Sequence, residues 1–193
     1  MIRVGENFPQ FLLPVYTPGK DEEVNMSMDN FQGKWLIVFF YPADFTFVCP
    51  TELRDLGRRY DEIKKLQGEV LSVSTDTVFT HKAWRETEGL LKDVHFPMAA
   101  DHAGTLARQL GICDPKTGLA DRAAYIVDPD GILLSMEVVA ENIGRSAKEL
   151  VRKLRALNHV RNNPHTACPA SWEEGEKDLT PGLKIVGKVA EEL

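Results

Sequence analysis

An α/β fold, a central mixed sheet flanked by helices with an extension at its C-terminal end, is what this 193-residue sequence predicts. Three observations carry that expectation. The run WLIVFFY at 35–41 is short, continuously apolar and rich in branched and aromatic residues, the pattern of a buried strand. A helical spacing and then an alternating segment follow it, completing a strand–helix–strand unit whose right-handed crossover makes the two strands parallel. Further on, AAYIVDPDGILLSMEVV at 123–139 reads as a hairpin, with Pro129-Asp130-Gly131 as its turn.

The elements follow in order. Residues 1–33 read as an irregular lead-in, punctuated by Pro9, Pro14, Pro18 and Gly19. After strand 35–41, a helix is predicted from Thr46 to Gln67, because Leu53, Leu56, Tyr60, Ile63 and Leu66 recur at three- and four-residue steps and Gly68 stops them. EVLSVST at 69–75 alternates as a second strand. A helix over 78–91, a short strand near 96–100 and a helix over 103–110 precede the hairpin. An amphipathic helix over 145–161 places Leu150, Val151, Leu154 and Leu157 on one face. Beyond Asn163 the composition shifts to Pro, Gly, Glu and Lys, so the expected division is a domain over 1–163 and a tail over 164–193. One βαβ unit, a hairpin and a closing helix fit a thioredoxin-like α/β sandwich, and other small α/β folds fit as well.

Composition removes several function classes. The formal net charge of -6 gives no reason to expect nucleic acid as a partner. The longest apolar run, 35–41, is too short to cross a bilayer, and the first residues lack a basic start followed by a long apolar block. No membrane association and a cytoplasmic location are therefore expected. Three cysteines, Cys49, Cys113 and Cys168, are too few for a disulfide scaffold in a chain of this length. In a reducing cytosol a disulfide between them is expected to be transient and chemical. The five histidines form no His-x-x-x-His pair, so no metal site is expected.

Cys49 has the most informative surroundings. It falls in the first turn of the predicted helix or just before it, where backbone N–H groups lack intrahelical partners and the helix dipole presents its positive end. Both favour a thiolate over a thiol, and Pro50 fits a first turn that has no use for its missing N–H. Thr46 lies one helical turn back and can bring its hydroxyl near the sulfur or an oxygen bound to it. Pro42 can shield the site from water. A lone cysteine is more often an inert core residue; the Pro42–Thr46–Cys49–Pro50 context shifts that balance.

That context resembles the active-site signature of the peroxiredoxins, Pro-x-x-x-Thr-x-x-Cys, here within FFYPADFTFVCPTEL at 39–53. STDTVFTHKAW at 74–84, GLADRAAYIVDPDGI at 118–132 and CPASWEEGE at 168–176 match the same family in the same order. The likeness covers nearly the whole chain and is to the typical two-cysteine members. It implies that Cys49 is the peroxidatic cysteine, attacking the O–O bond and becoming a sulfenic acid. Thr46 then binds the peroxide, Pro42 walls the pocket, and Arg122 holds the thiolate and polarises the substrate. Cys168 is implied as the resolving cysteine, supplied by a partner subunit. Glu52 and Arg145 are implied as an ion network around Arg122. Trp84 and Phe45 line the pocket mouth or pack in the core, and Cys113 reads as a loop or core thiol without a catalytic role.

The resemblance further implies hydrogen peroxide and organic hydroperoxides as substrates, a thioredoxin-like fold, and no bound metal, haem or flavin. It also implies a homodimer, assembled as a ring of five dimers. Reducing equivalents then come from another protein, a flavin-containing NADH-dependent disulfide reductase or thioredoxin. The short RETEGLLKDVHF segment and the KIVGKVAEEL end depart from the oxidation-sensitive eukaryotic members, so rapid unwinding around Cys49 is expected. Two thiol chemistries do not fit: Cys49 lacks the second cysteine of a Cys-x-x-Cys carrier, and Asp55 stands where a cysteine phosphatase needs arginine. An oxidation-dependent holdase chaperone or ring scaffold remains as the alternative function.

Overall fold

In the computed structural model, which describes residues 2–20 and 22–192, the chain forms two compact units, Met1–Ala147 and Lys148–Leu193. The strands of the first are β1 (Leu12–Tyr16), β2 (Val24–Ser27), β3 (Trp35–Phe40), β4 (Gly68–Ser74), β5 (Met98–Ala100), β6 (Arg122–Val127) and β7 (Leu133–Val139). Its helices are α1 (Cys49–Arg58), α2 (Tyr60–Lys65), α3 (Val78–Thr87) and α4 (Thr105–Leu110). Among the described residues the strands make one mixed sheet in the order β2-β1-β5-β4-β3-β6-β7.

The strand–helix–strand reading holds: β3 and β4 are parallel, with Ile37 beside Val70 and Phe39 beside Ser72. On its other side β3 pairs antiparallel with β6, Phe39 opposite Ala124, and β6 turns back into β7 around Gly131. Every residue of β3 is buried, as expected for a central strand covered on both faces. The pleat divides its side chains. Leu36, Val38 and Phe40 enter the core that contains Leu71, Val73, Leu106, Leu110 and Tyr125. Phe39 and Tyr41 point the other way: the Arg145 guanidinium stands 3.6 Å from the Phe39 ring centroid, and Trp84 stacks 5.9 Å from Tyr41. The second face carries the candidate site.

Several expectations are corrected. The lead-in is not irregular throughout, since β1 and β2 form an antiparallel pair in which Pro14 lies opposite Asn25. β1 joins β5 only at Val15 and Tyr16, so Pro14 is spared a ladder bond its nitrogen cannot donate. The predicted helix over 46–67 begins at Cys49 and is interrupted at Arg59, whose backbone (φ -105°, ψ 4°) leaves the helical region. The predicted helix over 78–91 ends at Thr87, and a 3₁₀ turn over Gly89–Asp93 follows.

That turn explains Gly57. A Cβ at Gly57 would lie 2.5 Å from the Asp93 carbonyl oxygen, and Arg58 Nε reaches the Asp93 carboxylate at 3.2 Å. Close approach of backbone to backbone requires glycine here. Gly57→Ala is expected to lower stability by about 1–2 kcal/mol in urea unfolding, because overpacking outweighs the gain in helix propensity.

The second unit contains most of α5 (Ala147–Asn162), which lies close to the predicted 145–161. Within the remainder, Ala167 and Leu179 form an isolated antiparallel bridge, and 3₁₀ turns occupy Leu183–Ile185 and Val189–Glu191. Among the described residues, no helix is long and apolar enough to cross a membrane.

Candidate active site

The segment between β3 and α1 carries the site and is held by a buried polar cluster. Asp44 accepts from the Tyr41 hydroxyl at 2.7 Å and pairs with His81 Nδ1 at 2.7 Å, while His81 Nε2 donates to Ala99 O at 3.1 Å. The Asp44 backbone N–H donates to Asp76 at 2.9 Å, and Ser74 donates its hydroxyl to the same Asp76 oxygen at 2.8 Å. Burial holds the Asp44 carboxyl above its ordinary range against the opposing pull of His81, and burial also raises Tyr41. Such a network is stable when its members satisfy one another. Phe45, next in the chain, has φ 56°, the left-handed region that non-glycine residues seldom occupy.

Cys49 is the first residue of α1 and is 0% exposed. Pro50 stands within the first turn, and Val48 offers no side-chain cap to the helix end. Arg122, the first residue of β6, brings Nη1 to 3.2 Å from Cys49 Sγ and donates to Glu52 Oε2 at 2.8 Å. Arg122 Nε donates to the Glu141 carbonyl. Glu52, one turn along α1, also receives Arg145 through its backbone N–H (2.8 Å), Nε (2.9 Å) and Nη2 (3.1 Å). Glu52, Arg122 and Arg145 are all buried. Burial draws the Arg145 guanidinium below its ordinary range, and hydrogen bonding to Glu52 pulls it back. Glu52 thereby fixes both guanidinium groups and aims one of them at the sulfur.

Thr46 donates its hydroxyl to Ala43 O at 2.8 Å. Pro42, Thr46, Val48 and Arg122 line one cavity together with Phe47, Glu141 and Asn142. Trp84 is buried between the Tyr41 and Phe45 rings, whereas Phe45 itself is 58% exposed. Cys113 is half-buried, with its sulfur 3.7 Å from Gly118 O. Among the described residues, no group of three or more His, Cys, Asp or Glu side chains could hold a metal ion.

In the second unit, Cys168 is half-buried, with Sγ 3.8 Å from the Ala156 carbonyl. Burial first and the Asp178 carboxylate second push its thiol up, while Arg152 draws it down.

Sequence reading missed the Tyr41–Asp44–His81 cluster and the Glu141 carbonyl. His81 lies far along the chain from Tyr41 and Asp44, and only the adjacency of β3, β4 and β5 brings Tyr41, Asp44 and Ala99 to it. A carbonyl ligand leaves no side-chain signal at all.

The chain matches the model of the AhpC/TSA family over residues 4–136. It is similar to the alkyl hydroperoxide reductase C of Amphibacillus xylanus, 46% identical over 98% of this chain and 100% of that protein. The alkyl hydroperoxide reductase C of Staphylococcus haemolyticus is 44% identical over the same shares. Among solved structures, Enterococcus faecalis AhpC superposes with a TM-score of 0.83 at 42% identity, covering 88% of this chain and 100% of that one. The reduced 2-Cys peroxiredoxin of Plasmodium vivax gives 0.90 at 27% identity, covering 97% and 98%. These likenesses bear out the thioredoxin-like fold. They lend no support to the holdase alternative.

Proposed function

Because the chain belongs to the AhpC/TSA family, we propose that it is a thiol-dependent peroxidase which reduces hydrogen peroxide and alkyl hydroperoxides through Cys49. The observation that carries this reading is Arg122 Nη1 at 3.2 Å from the buried Cys49 sulfur, at the mouth of a helix. The Arg122 guanidinium faces the sulfur there, and the positive end of the α1 dipole lies beside it.

The sulfur forms an S–O bond to one peroxide oxygen, the O–O bond breaks, and the departing oxygen takes up the proton the thiol gave up, leaving as water or alcohol with Cys49 as a sulfenic acid. Charge builds on that departing oxygen, and Arg122 is the preorganised donor that meets it. The Thr46 proton is committed to Ala43 O, so its oxygen accepts the peroxide O–H and orients the substrate. Pro42 walls the cavity. Glu52 and Arg145 hold Arg122 in place, and Trp84 with Phe45 supports the segment that carries Thr46.

Cys168 of a second subunit then condenses with the Cys49 sulfenic acid, giving a disulfide that a partner reductase opens. A flavoprotein disulfide reductase and thioredoxin both fit that role. A homodimer assembled as five dimers in the cytoplasm, and a domain over 1–163 with a tail over 164–193, belong to the same proposal. It is tested with the Cys168→Ser chain, treated with one equivalent of hydrogen peroxide and a sulfenic-acid-trapping dione. Mass spectrometry is expected to find the adduct on Cys49, with no peroxide-induced disulfide dimer. An adduct on Cys113 instead, or an undiminished dimer, would refute the assignment.

A further inference from the structure

Cys168 lies where two segments of the second unit pair. Ala167 and Leu179 exchange backbone hydrogen bonds at 2.8 and 2.9 Å in an antiparallel bridge. The bridge is isolated, and the residues next to it on the two segments, Cys168 and Asp178, are brought to neighbouring positions by it. Asp178 has a partner of its own: Oδ2 is 2.7 Å from His159 Nε2, with both side chains mostly buried. The His159 ring stacks on Trp172, centroids 4.8 Å apart. Trp172 is buried, donates Nε1 to Glu176 O at 3.0 Å, and accepts from Arg152 Nη1 at 3.0 Å. The ionisable groups acting on the thiol are Asp178 from the tail and Arg152 from α5, and His159 of α5 bonds Asp178.

We infer that the His159–Asp178 pair sets the reactivity of Cys168 in disulfide formation, Asp178 restraining the sulfur and His159 easing that restraint. The inference rests on the reading of Cys168 as the resolving cysteine. In that step the Cys168 thiolate forms the S–S bond, the S–O bond of the Cys49 sulfenic acid breaks, and the departing hydroxide takes up the proton the thiol gave up. The Cys168 sulfur is oxidised and the sulfenic sulfur reduced, so no further reagent is needed. A carboxylate facing the sulfur disfavours the attacking anion. His159, bonded to that carboxylate, draws off part of its field. Asp178 and His159 are positioning residues, acting through Cys168.

Two variants carry opposite expectations. Asp178→Asn removes the charge at constant size, so more of Cys168 is thiolate at pH 7. A tenfold rise in thiolate fraction is partly offset by lower nucleophilicity, leaving roughly a threefold faster step. His159→Leu leaves Asp178 without its partner and is expected to slow the step roughly threefold. The protein is mixed with one equivalent of hydrogen peroxide and quenched with an alkylating agent. The disulfide dimer is followed over time between pH 6 and 9, beside the rate of sulfenic acid formation at Cys49. The rate–pH curve should move to lower pH in Asp178→Asn and to higher pH in His159→Leu, with the first step unchanged in both.

Loosening of the tail alone would move both variants the same way, and that result overturns the inference. Unshifted curves, or a change in the first step, overturn it too. A Cys168→Ser control separates the two levels. A dimer persisting there defeats the assignment of Cys168, whereas a dimer lost there with both variants shifting together defeats only the role of the pair.

Discussion

Cys49→Ser is expected to bring peroxide consumption down to the uncatalysed background, at least about 10⁴-fold below the parent chain. The substitution changes little else. Serine is close to cysteine in size, the side chain is fully buried, and Arg122, Glu52 and Arg145 keep one another in place. What is lost is the element itself. An alcohol stays protonated near neutrality, and its oxygen does not accept a second oxygen as sulfur does. Thermal unfolding should move by no more than about 4 °C, the effect of about 1 kcal/mol in a chain of this size. Consumption of hydrogen peroxide with saturating reductant, read beside the melting curve, checks both halves. Turnover persisting in the variant would place the chemistry on another residue.

Glu52→Ala is expected to cost about 3–5 kcal/mol of stability, because it strands two buried cations. Glu52 accepts from Arg122 at 2.8 Å and from Arg145 at 2.8, 2.9 and 3.1 Å, all out of solvent. Removing the carboxylate leaves two guanidinium groups that repel each other without an anion between them. Glu52→Gln retains an oxygen acceptor but not the charge, and should fall between the variant and the parent. The urea midpoint measures the loss. At a urea concentration where the alanine chain is still folded, kcat/KM should also fall, since Arg122 is no longer aimed at the sulfur. A cost below about 1 kcal/mol would show that the three charges are solvated rather than interlocked.

Much of this was legible in the chain because the signals were local. Seven apolar residues in a row marked β3, and Cys49-Pro50 after a turn marked the start of α1. Spacing of Leu53, Leu56 and Ile63 identified the buried face of α1 and α2 correctly, yet the break at Arg59 left no trace, because the helical period continues through it. Pro14 misled for a physical reason. Proline argues against a strand unless its nitrogen faces an unpaired side, and whether that side is unpaired depends on where β5 begins, more than eighty residues later. Arg122, Glu52 and Arg145 came from resemblance. Their convergence on one carboxylate, and the burial that makes it costly to break, appeared only with the fold. The Asp178–Cys168 juxtaposition likewise depends on one pair of backbone hydrogen bonds that no periodicity announces.

The bare end of α1 sets a tempo. A capping side chain fastens a helix terminus by about 1 kcal/mol, and Val48 provides none above a sulfur sealed from solvent. On the proposed reading, a small hydroperoxide reaches the sulfur beside Arg122, whereas another chain's thiol must wait for the terminus to fray. Fraying of that turn must also release Glu52 from Arg122 and Arg145, so this buried network, and not the missing cap alone, sets how long an oxidised sulfur would await its mate.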